Sequence, residues 1–433
     1  MSKSKAYRST DVKNVVLDEV LSKAAPGRVT VGTDIGKFSI FAVIRFSDGT
    51  FLRPWKVANP SEIEYFVWLL QRLSKDHDVT VAMESTGTYG DALRFELAEV
   101  GLAVARVSGK AARDYGEIFD GVASQHDGKD AAVVAELCAL GKSRLWCYQA
   151  PKEEDAEMAY WVDKLDAQQR VQNLWTGHLE ALLARHWPEL TRLIDLTSVT
   201  LLNAVAHYGG PAALAADPEV RQQLRRWSRN ALKEASIEEI VSSAGQTFGA
   251  GQNVYDVKRL QEAAASALSA LREKQVAHAA LEELAQSNEI LRRQALVVGS
   301  VTACVLWVAI GDPRDYHCGP AYRKAMGLNL KERSSGQYQG QLKISKRGSA
   351  IARRWLYFAA LRTVQKPAAH DWYEAKKAKD KGRGKGALVA VMRKLSLASY
   401  AVGARGETYD PERLFPGKPW VEQACQTPSA VEI

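Results

Sequence analysis

The sequence is poor in several features, and each shortage removes a class of function. It has five cysteines in 433 residues, at positions 138, 147, 304, 318 and 425. Their count is odd and none forms a C-x-x-C pair, which argues against a disulfide framework or a zinc ribbon and for a reduced, cytoplasmic setting. No G-x-x-x-x-G-K-[ST] loop is present, so a P-loop nucleotidase is excluded. The opening stretch "MSKSKAYRSTDVKNVV" lacks the apolar centre of a secretory signal. The longest apolar run, "ALVVGSVTACVLWVAIG" (295–311), is short and broken by Gly299 and Ser300, so it reads as a buried helix and no membrane is expected. There is no internal repeat and no long low-complexity tract. What remains is a globular balance, 46% hydrophobic and 25% charged, long enough for two or three domains. The net charge of +8 suits a polyanionic partner without proving one.

The patterning divides the chain into five parts. Residues 1–27 are a polar arm or short helix ending in Pro26-Gly27. Residues 28–150 alternate strands and helices. Two β-branched runs flank Asp48-Gly49, a hairpin signal. "PSEIEYFVWLLQRLSKD" (60–76) has one apolar helical face and, in Ser61 and Glu64, capping-box spacing. "DVTVAME" (78–84) and "LAVARVS" (102–108) read as strands around a helix at 89–101. The order β-β-β-α-β-α-β-α predicts an α/β domain. Residues 151–293 are helical, with a stripe of Met158, Trp161, Leu165, Trp175, Leu179 and Leu182. Asp217-Pro218 and Gly249-Ala250-Gly251 interrupt them. A single long helix is expected over 255–296. Its heptad is spoiled by Lys274 and His278, leaving packing within one chain and a dimerising coiled coil both open. Residues 294–402 are mostly helical and basic, with fifteen Lys and Arg against three acids between 341 and 394. Residues 403–433 are a tail containing proline.

Four acids stand out in the α/β part. Asp34 interrupts the apolar strand "VTVGTDIGKFSIFAVI", where burying an unpaired carboxylate is costly. Gly32 and Gly36 beside it would let a ligand or phosphate approach the backbone. Glu84 ends the strand "VTVAME", at the edge where α/β domains place ligands. Asp127 and Asp130 are three apart at a helix start and share a face. Singly, each has a plain explanation: a turn aspartate, an N-cap region, or acids that complement a helix dipole. Together they are four carboxylates that would repel one another unless a cation lay between them. Mg²⁺, with Mn²⁺ as the alternative, takes such oxygen ligands and keeps positions open for phosphate and water. Two such ions clamp the oxygens of a phosphodiester displacement.

The second constellation is "YRKAMGLNLKERSSGQYQGQLKISKRGSAIARRWLYFAALR" (322–362). Ser334 and Ser335 precede Gly336, and a hydroxyl among cations can serve as a nucleophile toward phosphate. A plain loop explains Ser-Ser-Gly equally well. Lys343, Lys346, Arg347, Arg353 and Arg354 are candidate nucleic-acid contacts, interleaved with Tyr338, Trp355, Tyr357 and Trp372. A solvated helix face is the alternative.

"GTDIGK", "AMESTGTYG" and "HDGKDAAVVAEL" resemble the RuvC-like, ribonuclease-H-type domain of the DEDD transposases of bacterial insertion sequences, the insertion sequence 110 family. "VGSVTACVLWVAIGD", "MGLNLKERSSG" and "KISKRGSAIARRWL" resemble the same family's C-terminal transposase domain. The family's K-T-D-x-x-D-A frame reads Gln125-His126-Asp127-Gly128-Lys129-Asp130-Ala131 here, keeping D-x-x-D-A and losing K-T. Its P-G-I-G hairpin reads Val298-Gly299-Ser300-Val301. The resemblance implies a RuvC-like domain, a long helical or coiled-coil middle region and a C-terminal domain with a serine nucleophile. It implies that Asp34, Glu84, Asp127 and Asp130 hold metal and that Ser335, with Ser334 as its neighbour, attacks DNA and forms a covalent intermediate. It also implies donor and target DNA as substrates, a structured bridge RNA as guide, and a dimer or tetramer whose subunits share a composite site, acting in the cytoplasm on the bacterial nucleoid. A DNA invertase of the pilin-inversion type uses the same residues. A Holliday-junction-type nuclease would use the acids alone, and a non-catalytic nucleic-acid-binding protein would use neither set.

Overall fold

A computed structural model describes residues 7–85, 87–121, 126–332, 334–335, 338–340 and 342–416, with residues 334–335 and 338–339 described by backbone only. The chain divides into two compact units, Met1–Pro151 and Lys152–Ile433.

The first unit is built on a mixed seven-stranded sheet. Its strands are β1 (Thr10–Asp11), β2 (Arg28–Ile35), β3 (Ser39–Arg45), β4 (Trp55–Ala58), β5 (Asp78–Glu84), β6 (Ala103–Val107) and β7 (Ser143–Leu145), in the order β1-β4-β3-β2-β5-β6-β7. β2, β3 and β4 form an antiparallel meander, while β5 and β6 run parallel to β2. The Asp48-Gly49 turn forms as expected, with Gly49 at φ +88° and the Thr50 amide donating to the Asp48 carboxylate. Helices α1 (Leu17–Lys23), α2 (Ile63–Leu73), α3 (Asp91–Glu99), α4 (Gly109–Asp120) and α5 (Asp127–Ala139) complete the unit.

Side chains alternate across a strand, so each strand is read as two faces. Val29, Val31 and Ile35 of β2 pack with Val79, Val81 and Met83 of β5 in the core that takes in the leucines of α2 and α3. The other face carries Gly32 and Asp34 of β2 and Ala82 and Glu84 of β5. Ala82 packs with Val133, Val134 and Leu137 of α5. The central strand is therefore buried on both faces, which explains its unbroken apolar run.

Three local expectations change. α2 is not capped by a Ser61–Glu64 box: its N-cap is Glu62, whose carboxylate reaches back to accept the Ala58 amide. β1 and β7 have two and three residues, too few for a periodic signal. Gly32 admits no ligand. A Cβ there would lie 2.1 Å from the Ala131 carbonyl oxygen and 2.3 Å from the Ala135 nitrogen, so this glycine lets α5 lie directly on the sheet.

The second unit is framed by two 34-residue helices, α6 (Glu153–His186) and α12 (Val254–Ser287). Between them in sequence come α7 (Leu190–Leu193), α8 (Val199–Tyr208), α9 (Pro211–Ala216), α10 (Val220–Trp227) and α11 (Glu234–Gly245), which share a core with Leu179, Leu183, Leu260 and Ala267 of the long pair. The long helices pack on each other within the chain. Lys274, the residue that spoils the heptad, donates to the side chains of Gln169 and Gln172 on α6. The expected helix over 255–296 is in fact two. Asn288 ends α12, and its side chain accepts the Ile290 and Leu291 amides to cap α13 (Glu289–Val298).

α13 meets α14 (Ser300–Ile310) at a bend of 116°, centred on Gly299 with φ +88°, so the longest apolar run is folded back rather than extended. α15 (Gly319–Ala325), α16 (Ala350–Thr363), α17 (Pro367–Lys379), α18 (Gly384–Ala404) and α19 (Pro411–Leu414) follow. α18 is long and apolar enough to cross a membrane by composition, but over half of that stretch is buried in this unit, as in a core helix. Four two-residue strands, β8 (Leu330–Lys331), β9 (Ser334–Ser335), β10 (Tyr338–Gln339) and β11 (Lys343–Ile344), pair as β8 with β11 and β9 with β10, both antiparallel. Of the tail, Phe415 packs against Trp372, and residues 417–433 lie outside the described residues.

Candidate active site

Asp34 and Glu84 come to one end of the sheet by register. β2 and β5 are parallel, with Gly32 beside Ala82 and Thr33 beside Met83, so Asp34 and Glu84 follow side by side on the face that α5 covers. α5 begins at Asp127 over the same end. The amides of Lys129 and Asp130 both donate to the His126 carbonyl, which places Asp127 and Asp130 in the first turn.

The electrostatics record this gathering. The Asp34 carboxyl is pushed up to about 6, by burial first and then by Asp127, Asp130 and Glu84. Glu84 is raised by burial and by Asp130, against the pull of Arg113. Asp130 is raised by burial and by Asp127, against Lys129 and His126. Among the described residues no three His, Cys, Asp or Glu side chains are drawn close enough to enclose an ion. The backbone brings the four carboxylates to one end of the sheet, close enough that Asp127, Asp130 and Glu84 each raise Asp34. By chemistry the set fits a hard divalent cation: it offers oxygen donors only, and the charge that raises its protonation is the charge a cation would neutralise.

Several residues that build this end of the sheet carry no signal in the sequence. Gly109 opens α4, and a Cβ there would stand 2.8 Å from Glu84 Oε2, so a larger residue would push that carboxylate from its present position. Arg113, one turn further along α4, supplies the positive charge that Glu84 feels. At the other end of β2, Arg45 Nε donates to Glu136 Oε2 at 2.5 Å, tying β3 to the last turn of α5.

Lys129, between the two aspartates, is 2% exposed, and its ammonium lies 2.7 Å from Asp120 Oδ1 at the end of α4. The Tyr7 hydroxyl donates to the other oxygen of Asp120 at 2.9 Å. Gly128 presses on Pro54, where a Cβ would come within 2.9 Å of the ring. The Gly-Lys pair within D-G-K-D therefore docks the first turn of α5 against α4, the N-terminal arm and the segment before β4. Lys129→Met leaves the Asp120 carboxylate without its ammonium partner in a largely buried setting, and should cost about 3–5 kcal/mol in denaturant unfolding. Adding Asp120→Asn should recover much of that loss. If the double variant is no more stable than the single one, the pair does not hold α5.

In the second unit, the backbones of Ser334 and Ser335 form β9, each paired across the hairpin, with Ser335 opposite Tyr338 and Ser334 opposite Gln339. Gly336 lies outside the described residues. Among the candidate nucleic-acid contacts, Lys343 is exposed on β11, and Lys346 and Arg347 sit in an exposed turn with Lys346 at φ +56°. Two others are engaged within the protein. Arg353 Nη1 donates to the carbonyls of Met326, Gly348 and Ser349, closing the turn between α15 and α16. Arg354 is paired with Asp166 of α6, which Arg170 shares.

Comparison with known families gives two matches. Residues 31–188, which contain all four acids, are similar to a family model described as Transposase, of the DEDD type of IS110. Residues 293–374, which contain both serines and the five basic candidates, are similar to the model described as Transposase IS116/IS110/IS902 family. Together the matches span more than half of the chain. No curated protein matches it.

Proposed function

This chain belongs to the IS110 family of DEDD transposases, enzymes that recombine DNA with a divalent metal, and on that premise we propose that it exchanges DNA strands through Ser335 under the direction of a guide RNA. The observation that carries the metal half of this reading is the mutual perturbation of Asp34, Glu84 and Asp130, each raised by burial and by its neighbours. Asp34, Glu84, Asp127 and Asp130 are the ligands, and Mg²⁺ is the ion we assign, with Mn²⁺ as its substitute. When bound, the ion supplies charge neutralisation at the phosphodiester and at the departing oxygen.

The chain's own residues do the rest. α5, fixed by Gly32, Arg45 and Lys129, holds two of the ligands at a set spacing. Arg113 adds positive charge beside Glu84. The Ser335 hydroxyl attacks phosphorus, forming an Oγ–P bond as the P–O bond to the departing strand breaks and that oxygen takes up a proton. The reverse attack, by the hydroxyl of the incoming strand, frees the serine. Bond energy is conserved in the covalent intermediate, so no nucleotide cofactor is needed, in keeping with the lack of a P-loop. The family match over residues 293–374 supports the serine, and Lys343, Lys346 and Arg347 are the candidate contacts left exposed for the nucleic-acid backbone. The bridge RNA, the dimer or tetramer and the cytoplasmic, nucleoid location follow from the family resemblance.

Ser335→Ala should lower strand exchange by a factor on the order of 10³ or more while leaving DNA binding unchanged. The assay is recombination of a plasmid carrying both element junctions, with denaturing gels to trap protein–DNA adducts. Unchanged cleavage in that variant would sink the serine step and leave a nuclease that works through the acids alone. Sequencing RNA that copurifies with the protein tests the guide: recombination by protein that carries no specific RNA would sink the guided reading.

A further inference from the structure

We propose that Arg323 and Arg393 form a grip for one phosphodiester group of a bound nucleic acid. Arg323 lies on α15 and Arg393 on α18, helices that pack together in the second unit. The Nε of each is buried and has no hydrogen-bond partner among the described residues. Neither guanidinium joins an ion pair there, whereas Arg293, Arg314 and Arg354 in the same unit are all paired with carboxylates. Arg353 and Arg362 are satisfied by carbonyl and hydroxyl oxygens. What Arg393 feels instead is burial and then the charge of Arg323, both of which pull its guanidinium below the usual range.

Two half-buried like charges with orphaned donors are costly to keep. A fold that keeps them without a carboxylate keeps a charge that an anion from outside would neutralise. The guanidinium fork matches an acceptor with several oxygens in one plane, and a phosphodiester offers that. The location suits the substrate. The Arg323 carbonyl accepts the Leu328 amide, and the Asn329 carbonyl accepts the Ser345 amide. Arg323 therefore lies in the last turn of the helix that leads into the segment 326–349, which carries Ser334 and Ser335. This inference rests on the reading of the second unit as acting on nucleic acid, but not on the serine step.

The test uses the full chain with Arg323→Gln, Arg393→Gln, and Arg393→Lys, which keeps the charge without the fork. Two quantities are read: the unfolding temperature without nucleic acid in phosphate-free buffer, and the affinity for a double-stranded DNA and a structured RNA oligonucleotide across a salt series. Each glutamine variant should raise the unfolding temperature by roughly 1–3 °C, since a repulsion is removed. Each should also weaken binding and reduce the salt slope by about one. The oligonucleotide whose slope changes identifies the source of the phosphate. Arg393→Lys should keep the slope and lose part of the affinity. Unchanged affinity and slope would overturn the proposal, as would weaker binding together with a lower unfolding temperature, which would mark the arginines as structural. Ser335→Ala should leave both quantities unchanged, so failure of the serine step and failure of the grip are separately visible.

Discussion

Replacing Asp34 by asparagine is expected to abolish metal-dependent strand cleavage while making the metal-free protein more stable at neutral pH. The two effects share one cause. Asp34 sits on the central strand, beside Glu84 and under the first turn of α5, and its carboxyl is pushed up to about 6 by burial and by Asp127, Asp130 and Glu84. A folded-state value above the unfolded one means that the native protein holds this proton more tightly than the unfolded chain does. Stability from this group is therefore full below about pH 4 and falls as pH rises to about 6, because the unfolded chain ionises first. Asparagine removes the titration, so the variant should lack that slope in metal-free unfolding curves. With metal the order reverses. Wild type should gain stability from Mg²⁺ or Mn²⁺ at pH 7.5, and the variant should gain little. Cleavage should fall by a factor on the order of 10³ or more, as expected where a metal ligand is lost. A variant that keeps cleavage, or that keeps the metal-induced stabilisation, would show that Asp34 is not a ligand.

Gly32→Val should be the most damaging substitution in the first unit that touches no charged group. The new side chain would start 2.1 Å from the Ala131 carbonyl oxygen and 2.3 Å from the Ala135 nitrogen, both backbone atoms of α5. Backbone cannot swing aside as a side chain can, so α5 must lift off the sheet. The expected loss is about 3 kcal/mol or more, at the upper end for overpacking. Even Gly32→Ala meets the same atoms and should be strongly destabilising. Gly116→Ala is the matched control: it lies within α4 with nothing near its added carbon, and should be neutral or stabilising by up to about 1 kcal/mol. Urea unfolding of the three variants decides the matter, and a Gly32→Ala protein as stable as wild type would remove the close-contact argument.

The sequence is most readable where cost is local. An aspartate inside β2 and a glutamate closing β5 stand out because an apolar strand leaves them no cheap reason to be there. Asp127 and Asp130 stand out because a spacing of three is a statement about one helical face. The strand–helix alternation of the first unit is readable for the same reason, since each element carries its own period. What depends on distant neighbours was hidden. Lys129 looks like a solvated residue in a helix start until Asp120 and Tyr7 arrive beside it. Gly32 looks like room for a ligand until α5, a hundred residues later, fills it. Gly109 and Arg113 matter only because α4 passes Glu84. The break at Asn288 was masked by apolar periodicity on both sides, although asparagine is a good cap. In the basic region, charge counting could not separate Arg353 and Arg354, which hold the protein together, from the cations left facing outward. The role proposed for Ser335 comes from the resemblance, not from Ser-Ser-Gly itself.

The bare contact of α5 with β2 limits how this enzyme can vary. A helix seated against glycine, backbone to side-chain-free backbone, has one seat. Sliding it by a residue would bring different atoms over Gly32 and break its ties to Arg45 and Asp120. The spacing between the two carboxylate-bearing elements, β2 and α5, is thus fixed by the scaffold and closed to gradual adjustment. Diversification among descendants of this chain is left to the loops at the strand ends, such as 36–38 and 87–90, and to the second unit, where a change would leave the carboxylate-bearing end of the sheet untouched.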